Sequence, residues 1–249
     1  MKILISPAKQ MKSYDDYFNT SSSPLFLHKT NLLLEHLKSL PYPELKEAFK
    51  CSDKIAREAY ENYQTLDLNR ANTPALFAYR GIQYTTMSPE VLEDKALRYL
   101  SKHLLILSGF YGLLRPFDTI VKYRLEMQAK IPFSLYEFWG STLADSIQDP
   151  IILNLASEEY AKAVRPYAKA AGTRFLTLRF GEVTDGRFRQ KGTFAKMARG
   201  EMVRFMAEAQ IDDPAALKAF DALGLRYAAE LSDDETMTFV KTQKEDVHG

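Results

Sequence analysis

The sequence predicts a single α/β domain with a mainly parallel or mixed central sheet and flanking helices. Three apolar runs, 2–5, 104–107 and 151–155, are short and continuous, which is typical of strands buried on both faces. Small and polar residues follow each run at once, and segments with helical periodicity separate the runs. Since no linker or repeat interrupts 1–249, we expect one domain.

The other elements follow in chain order. A fourth strand candidate spans 75–79. The predicted helices span about 30–40, 44–64, 88–101, 134–148, 157–171 and 194–209, and Thr193 is the expected cap of the last one. Asp185-Gly186 predicts an antiparallel hairpin between 174–184 and 187–191, and a shorter hairpin is predicted between 227–231 and 236–241. The polar residues 243–249 are expected to fray.

Composition excludes several classes of protein. The chain has 249 residues and is 46% hydrophobic, so it can bury a core without disulfide or metal staples. Cys51 is the single cysteine, and the four histidines show no ligand spacing, so no metal site and no cofactor are predicted. Pro7 breaks the apolar N-terminus, and no run approaches the ~20 apolar residues of a membrane helix. We expect a cytoplasmic protein with no membrane partner. A monomer is the favoured oligomeric state.

Charge is distributed unevenly along the chain. The net charge is +1, yet residues 174–204 carry eight basic and three acidic side chains, whereas 205–249 carry four basic and ten acidic ones. Six cations are predicted to share local faces, three along a strand and three within an arc of about 140° on a helix. They are Arg187, Arg189, Lys191, Lys196, Arg199 and Arg204. This pattern favours a local anion-binding surface, and nucleic acid is the polymer best suited to it.

Three loops are predicted to converge, because ligands in open α/β sheets bind outside the carboxyl ends of the strands. The loops are Ser6–Lys9, Ser108–Arg115 and Asn154–Ser157. Their candidate anion-binding residues are Ser6, Lys9, Ser108, Tyr111, Arg115, Asn154 and Ser157, with Tyr111 also a candidate to stack on a base. In the alternative interpretation these residues only turn the chain, and Arg115 pairs with Asp118.

Charged residues also alternate with apolar ones along 121–127. A charge this close to a buried strand must be paired or must face a cleft, so Arg124 is a further candidate anion contact. Glu126 is either a general base or, in the favoured interpretation, the partner of Arg124. Lys9 would be a nucleophile if desolvated, although phosphate contact is the commoner role. No known catalytic pattern is present, so the catalytic residues stay unassigned.

The segment 43–63 fits two short helices across a turn at 51–54, which is the layout of a helix-hairpin-helix. Lys54 would then contact a DNA phosphate. The usual hairpin glycines are missing, however, and Ser52 or Asp53 fits an ordinary N-cap equally well. An aspartate in the phosphate position would repel the ligand.

Taken together and in this order, several motifs resemble those of the YaaA family of peroxide-stress resistance proteins. They are Ser6-Pro7-Ala8-Lys9, Thr73-Pro74-Ala75-Leu76, the segment 108–116, Tyr123-Arg124-Leu125-Glu126-Met127, Phe138-Trp139-Gly140, Asn154-Leu155-Ala156-Ser157 with Tyr160, and Lys196-Met197-Ala198-Arg199-Gly200. The resemblance implies a cytosolic bacterial protein with one α/β domain of unusual topology. It also implies a role in limiting hydroperoxide damage, a link to lower free intracellular iron, and DNA binding through a positively charged cleft and a helix-hairpin-helix-like element.

The leading hypothesis is therefore a protein of the oxidative-stress response that binds duplex or branched DNA. The alternative is an enzyme that acts on a nucleotide or a modified base in the same cleft, with Lys9 or Glu126 reactive. Cys51 has no resolving partner, which argues against a thiol peroxidase.

Overall fold

A computed structural model describes residues 1–14 and 22–241, so the segment 243–249, which was expected to fray, lies outside the described residues. Its strands are β1 (Lys2–Ile5), β2 (Gln10–Met11), β3 (Thr73–Pro74), β4 (Tyr79–Arg80), β5 (Leu104–Ser108), β6 (Gly112–Leu114), β7 (Thr119–Ile120), β8 (Ile151–Asn154), β9 (Arg174–Thr184), β10 (Arg187–Arg189), β11 (Leu225–Tyr227) and β12 (Thr236–Lys241).

The α-helices are α1 (Leu27–Ser39), α2 (Tyr42–Phe49), α3 (Asp53–Thr65), α4 (Ala75–Ala78), α5 (Ile82–Met87), α6 (Asp94–His103), α7 (Leu135–Trp139), α8 (Thr142–Asp145), α9 (Glu158–Ala161), α10 (Arg165–Ala170) and α11 (Gly192–Ala209). Short 3₁₀ turns lie at Leu68–Arg70, Pro89–Val91, Pro214–Ala219, Ala222–Gly224 and Ala229–Leu231. No helix within 1–14 and 22–241 has both the length and the apolar character that a bilayer span requires.

One mixed sheet dominates the fold, with the strand order β11-β12-β9-β8-β1-β5-β6 and β10 paired to β9. The strands from β12 to β5 run parallel, and Leu4 of β1 lies between Leu105 of β5 and Asn154 of β8. The edge strands β6 and β11 are antiparallel to their neighbours. The predicted α/β class with a mainly parallel sheet is confirmed, and the apolar runs form its buried centre because both faces of these strands are covered.

The predicted strand 75–79 is wrong. Its apolar residues form the short helix α4, flanked by the two-residue strands β3 and β4. Pro74 precedes the helix, and the N–H groups of Ala75 and Leu76 donate to the carbonyls of Asp118 and Pro116. A short apolar run that is fully buried has no periodicity to separate a helix from a strand, so tertiary hydrogen bonds decide its conformation.

Several helices are shorter than predicted, each for a local reason. The region 134–148 divides into α7 and α8 at Gly140, which has a φ of +50°. The region 157–171 divides into α9 and α10, with Pro166 in the first turn of α10. The first residues of 88–101 form a 3₁₀ turn before α6. The helix α11 starts at Gly192, and Thr193 is not its cap.

Both predicted hairpins are present, one with shifted strands. Asp185 and Gly186 have positive φ values of 52° and 70°, as a two-residue turn of this kind requires, and they join β9 to β10. In the second hairpin the strand that pairs with β12 is 225–227, whereas 229–231 is a 3₁₀ turn.

Candidate functional site

The carboxyl ends of β8, β1 and β5 lie side by side, and two of the predicted loops meet there. The hydroxyl oxygens of Ser6 and Ser157 are 3.2 Å apart, and the N–H of Ser157 donates to Ser6 Oγ at 2.8 Å. Asn154 is buried, and its Oδ1 accepts the N–H of Ala156 at 3.1 Å, which shapes the turn after β8. Asn154 therefore supports the loop from beneath.

The loop after β5 is organised by a chain of buried hydroxyl groups. The Ser108 hydroxyl accepts the N–H of Tyr111 at 2.9 Å and lies 2.7 Å from the Tyr123 hydroxyl. The Tyr123 hydroxyl lies 2.6 Å from that of Tyr79. Burial raises the pKa of Tyr123 to about 12, so these groups act as neutral hydrogen-bonding partners.

Tyr84 of α5 links the two groups of loops. Its hydroxyl donates to the carbonyl of Ser6 at 3.0 Å, and its ring centroid is 5.4 Å from that of Tyr79. The Ser6–Ser157 pair and the Ser108–Tyr123 chain are therefore connected through Tyr84 of α5, by one hydrogen bond and one ring contact.

Two glycines allow close packing around the loop after β5. A Cβ on Gly109 would lie 2.5 Å from the carbonyl oxygen of Leu125, so the extended segment 121–127 packs directly against this loop. Gly112 has a φ of +73°, and a Cβ there would lie 2.7 Å from the ring of Trp139. The indole N–H of Trp139 donates to the carbonyl of Gly109 at 3.0 Å, which holds the loop from its other side.

The charged centre of the site is Glu126. Its Oε1 lies 3.0 Å from Arg124 Nη2 and 3.2 Å from Lys9 Nζ. The side chains of Arg124 and Glu126 are each 17% exposed, whereas that of Lys9 is 69% exposed. The interpretation of Glu126 as a partner of cations fits this geometry better than that of a free base. Lys9 extends from this pair into solvent.

A second carboxylate lies near Glu126. Burial raises the pKa of Glu159, the negative charge of Glu126 raises it further, and the N–H of Gln128, which donates at 3.3 Å, acts in the opposite direction. Glu159 follows Ser157 by two residues, so the start of α9 brings it to the same edge as the predicted loops.

Arg115 and Tyr111 differ from their predicted roles. Arg115 Nη2 lies 2.8 Å from the buried carboxylate of Asp118 and also donates to the carbonyl of Ser23. This is the alternative interpretation, in which Arg115 fixes its own loop. Tyr111 is fully buried and its hydroxyl accepts the N–H of Val121 at 3.2 Å, so its ring has no free face for stacking on a base.

The three cations of α11 do not share one solvated face. Arg199 lies at the centre of the inward face, between the buried Ala195, Ala198 and Met202. Lys196 is exposed, and Arg204 forms a 2.8 Å ion pair with Glu208. The sequence wheel placed the cations within an arc but could not show that this arc overlaps the buried face.

The cations of the β9–β10 hairpin are mostly solvent-facing. Arg187 and Arg189 are exposed, whereas Lys191 forms a 2.6 Å ion pair with Glu182. The guanidinium of Arg179 lies 4.3 Å from the ring centroid of Phe188, which steadies the base of the hairpin.

The helices α2 and α3 are joined by a short turn, as predicted for the helical hairpin. The Asp53 carboxylate lies 2.7 Å from Lys46 Nζ, 2.7 Å from the Tyr42 hydroxyl and 3.2 Å from Arg57 Nη2. The hydrogen bond from Lys46, followed by those from Tyr42 and Arg57, holds the pKa of Asp53 well below its usual range. Lys54, the residue after Asp53, is exposed.

Sequence reasoning missed four polar residues at the edge, namely Tyr79, Gln83, Tyr84 and Glu159. Tyr79 ends the run predicted as a strand, and Gln83 and Tyr84 lie in α5, in a stretch for which the sequence predicts no element. The five tyrosines within 79–123 were the available signal. Among residues 1–14 and 22–241 no group of three or more His, Cys, Asp or Glu side chains is placed to hold a metal ion.

Comparison with known proteins gives a consistent result. The profile of a family described as "Peroxide stress protein YaaA" matches residues 1–231. The chain is 49% identical to a UPF0246 protein of Desulfitobacterium hafniense over 251 residues, covering 98% of this chain and 100% of the relative. It is 47% identical to a UPF0246 protein of Pediococcus pentosaceus, covering 98% and 99% of the two chains. The chain therefore belongs to the YaaA family of peroxide stress proteins.

Proposed function

We propose that this protein binds DNA, duplex or branched, through phosphate contacts in a positively charged cleft at the carboxyl edge of the sheet. Binding there limits peroxide damage. The observation that carries the proposal is the contact between the loops at Ser6 and Ser157, in the same loop as Lys9, whose side chain is 69% exposed and pairs with Glu126. Such an edge is the usual ligand position in an open α/β sheet.

The character of the exposed cations determines the kind of binding. Lys9 pairs with Glu126 and keeps 69% of its flexible side chain in solvent, and Arg187 and Arg189 are exposed on the hairpin. Mobile cations neutralise phosphates without reading bases. We therefore expect binding that depends strongly on salt and weakly on sequence.

The decisive experiment is a titration of the protein with duplex and branched DNA at several salt concentrations. Affinity should fall steeply between about 50 and 200 mM salt, with a slope set by the number of phosphates contacted. Absence of binding at low salt, or binding with no salt slope, would overturn the proposal.

The cellular part of the proposal is protection from peroxide in the bacterial cytoplasm, by a monomer, with a link to free intracellular iron. Membership of a peroxide stress family supports the first element. Cells that lack the protein should lose viability in hydrogen peroxide, and an iron chelator should restore it. Equal survival of both strains, or no effect of the chelator, would contradict the role or the iron link respectively.

The alternative enzyme requires a desolvated, reactive Lys9 or a free Glu126 base. Lys9 is largely hydrated, and Glu126 is held by two cations. These contacts favour DNA binding over covalent chemistry. A Lys9→Ala variant should accordingly lose DNA affinity in the titration. The wild-type protein should show no activity on a nucleotide or a modified base.

A further inference from the structure

Arg199 is a partly buried cation for which the described residues provide no counter-charge. It lies at the centre of the inward face of α11, and no Asp or Glu oxygen lies within 4 Å of it in the described part of the chain. Its Nε is buried and has no hydrogen-bond partner there. Burial lowers the pKa of the Arg199 guanidinium.

Gln83, on α5, is in the same condition. Gln83 is 6% exposed, and its Nε2 has no hydrogen-bond partner among the described residues. A buried amide donor without a partner loses its hydration with nothing in return. Two buried donors, one charged and one neutral, therefore lack acceptors.

The crossing of α5 and α11 brings these two residues into the same neighbourhood. A Cβ on Gly200 would overlap Thr86 Oγ1 and the carbonyl oxygen of Gln83. The Thr86 hydroxyl also donates to the carbonyl of Met197 at 3.2 Å. The helices thus touch through their backbones at the residue that follows Arg199.

The crossing lies beside the loop that follows β1. Tyr84, the residue after Gln83, donates to the carbonyl of Ser6, and a Cβ on Gly81 would lie 3.2 Å from that of Ala8. The N-terminal half of α5 therefore lies against the loop that carries Lys9.

We propose that Arg199 and Gln83 form a receptor for one phosphodiester oxyanion at the α5–α11 crossing. Its position in the cleft rests on the proposed function. A guanidinium supplies one positive charge and paired donors, and the amide of Gln83 adds a neutral donor. One cation matches the single charge of a phosphodiester better than the two charges of a terminal phosphate. The source is a DNA backbone or a free dinucleotide, and the experiment distinguishes them.

The first test compares Arg199→Gln with a matched control, Arg174→Gln. Arg174 is exposed at the start of β9, opposite Ile151 and hence at the other edge of the sheet. The Arg199 variant should bind DNA about tenfold more weakly, with a salt slope smaller by about 1. The control should change affinity less than about twofold. Equal behaviour of the two variants would overturn the receptor.

The second test is Gln83→Glu, which places a carboxylate at the helix crossing that also carries Arg199. This change supplies the missing counter-charge, so the melting temperature should rise by about 2–4 °C while DNA affinity falls about tenfold. A merely structural Gln83 would move both quantities downward. Gln148→Glu adds the same charge at an exposed position just before β8 and should leave both nearly unchanged.

Free ligands separate the receptor from the wider function. A deoxydinucleotide and inorganic phosphate are titrated against wild type and Arg199→Gln. Dinucleotide binding that depends on Arg199, with no binding of wild type to DNA, would keep the receptor and remove DNA as its source. DNA binding that is insensitive to Arg199→Gln would keep the function and remove the receptor. Binding of inorganic phosphate alone would replace the phosphodiester with a free anion as the ligand. If the wild type binds neither the dinucleotide, nor inorganic phosphate, nor DNA, both proposals fail.

Discussion

The α2–α3 hairpin and the α5–α11 crossing both present cations, but they balance them differently. In the hairpin, Asp53 accepts contacts from Lys46 and Arg57, so the charges are neutralised within the element. At the crossing, Arg199 is more deeply buried and has no carboxylate within 4 Å among the described residues. The charges of the hairpin already have protein partners, so it gains little from an anionic ligand. A partly buried cation without a counter-charge carries a desolvation cost that an anionic ligand would offset.

The largest expected effect comes from adding a methyl group at the close contact between α5 and α11. Gly200→Ala should lower the free energy of unfolding by about 1–3 kcal/mol and weaken DNA binding, because the new methyl group forces the helices apart. Gly192→Ala is the matched control, since nothing lies within 4 Å of a Cβ at that position of the same helix. Urea denaturation measures the difference, and equal stabilities would show that the crossing tolerates separation.

Arg115→Ala should separate loop support from phosphate contact. The variant leaves the buried Asp118 carboxylate with fewer donors, so the free energy of unfolding should fall by about 1–3 kcal/mol. Its affinity for DNA should stay within about twofold of the wild type, since Arg115 is engaged with its own loop. A large loss of affinity in folded protein would return Arg115 to the cleft.

Asp53→Asn tests whether the hairpin contacts DNA at all. Removing the carboxylate frees Lys46 and Arg57, so a hairpin on the DNA should bind about two- to threefold more tightly at low salt. Asp94→Asn removes an equally exposed acid from the first turn of α6 and serves as the control. Equal titration curves for both variants would remove the hairpin from the interface.

The smallest expected effect is the pH dependence of Glu159. Burial raises its pKa in the folded protein above the unfolded value. Its contribution to stability is therefore fully present below the unfolded pKa and is lost as the pH rises through the folded pKa. Glu159→Gln should be more stable than the wild type at pH 7, by less than about 1 kcal/mol after solvent screening, and the advantage should vanish near about pH 4. Urea midpoints at both pH values measure it, and a constant difference would contradict the assignment.

The sequence predicted the sheet edge well and the helix crossing poorly. The runs at 2–5, 104–107 and 151–155 carry their own signal, because strands buried on both faces must be continuously apolar. Their order in the sheet then places Ser6 and Ser157 together. Arg199 instead lies on a helix that packs against α5, a helix of six residues in a stretch for which the sequence predicts no element. A helical wheel and the local charge pattern do not show which helix packs against Arg199, so they cannot show whether that helix supplies an acidic partner.

Trp139 gives the molecule a built-in optical probe. It is the chain's single tryptophan, fully buried, and its indole N–H is bound to the loop that follows β5. All indole emission therefore originates beside Gly109 and Gly112. Any rearrangement of this loop by an occupant of the edge would change the wavelength or intensity of one chromophore, so occupancy can be followed in unlabelled protein.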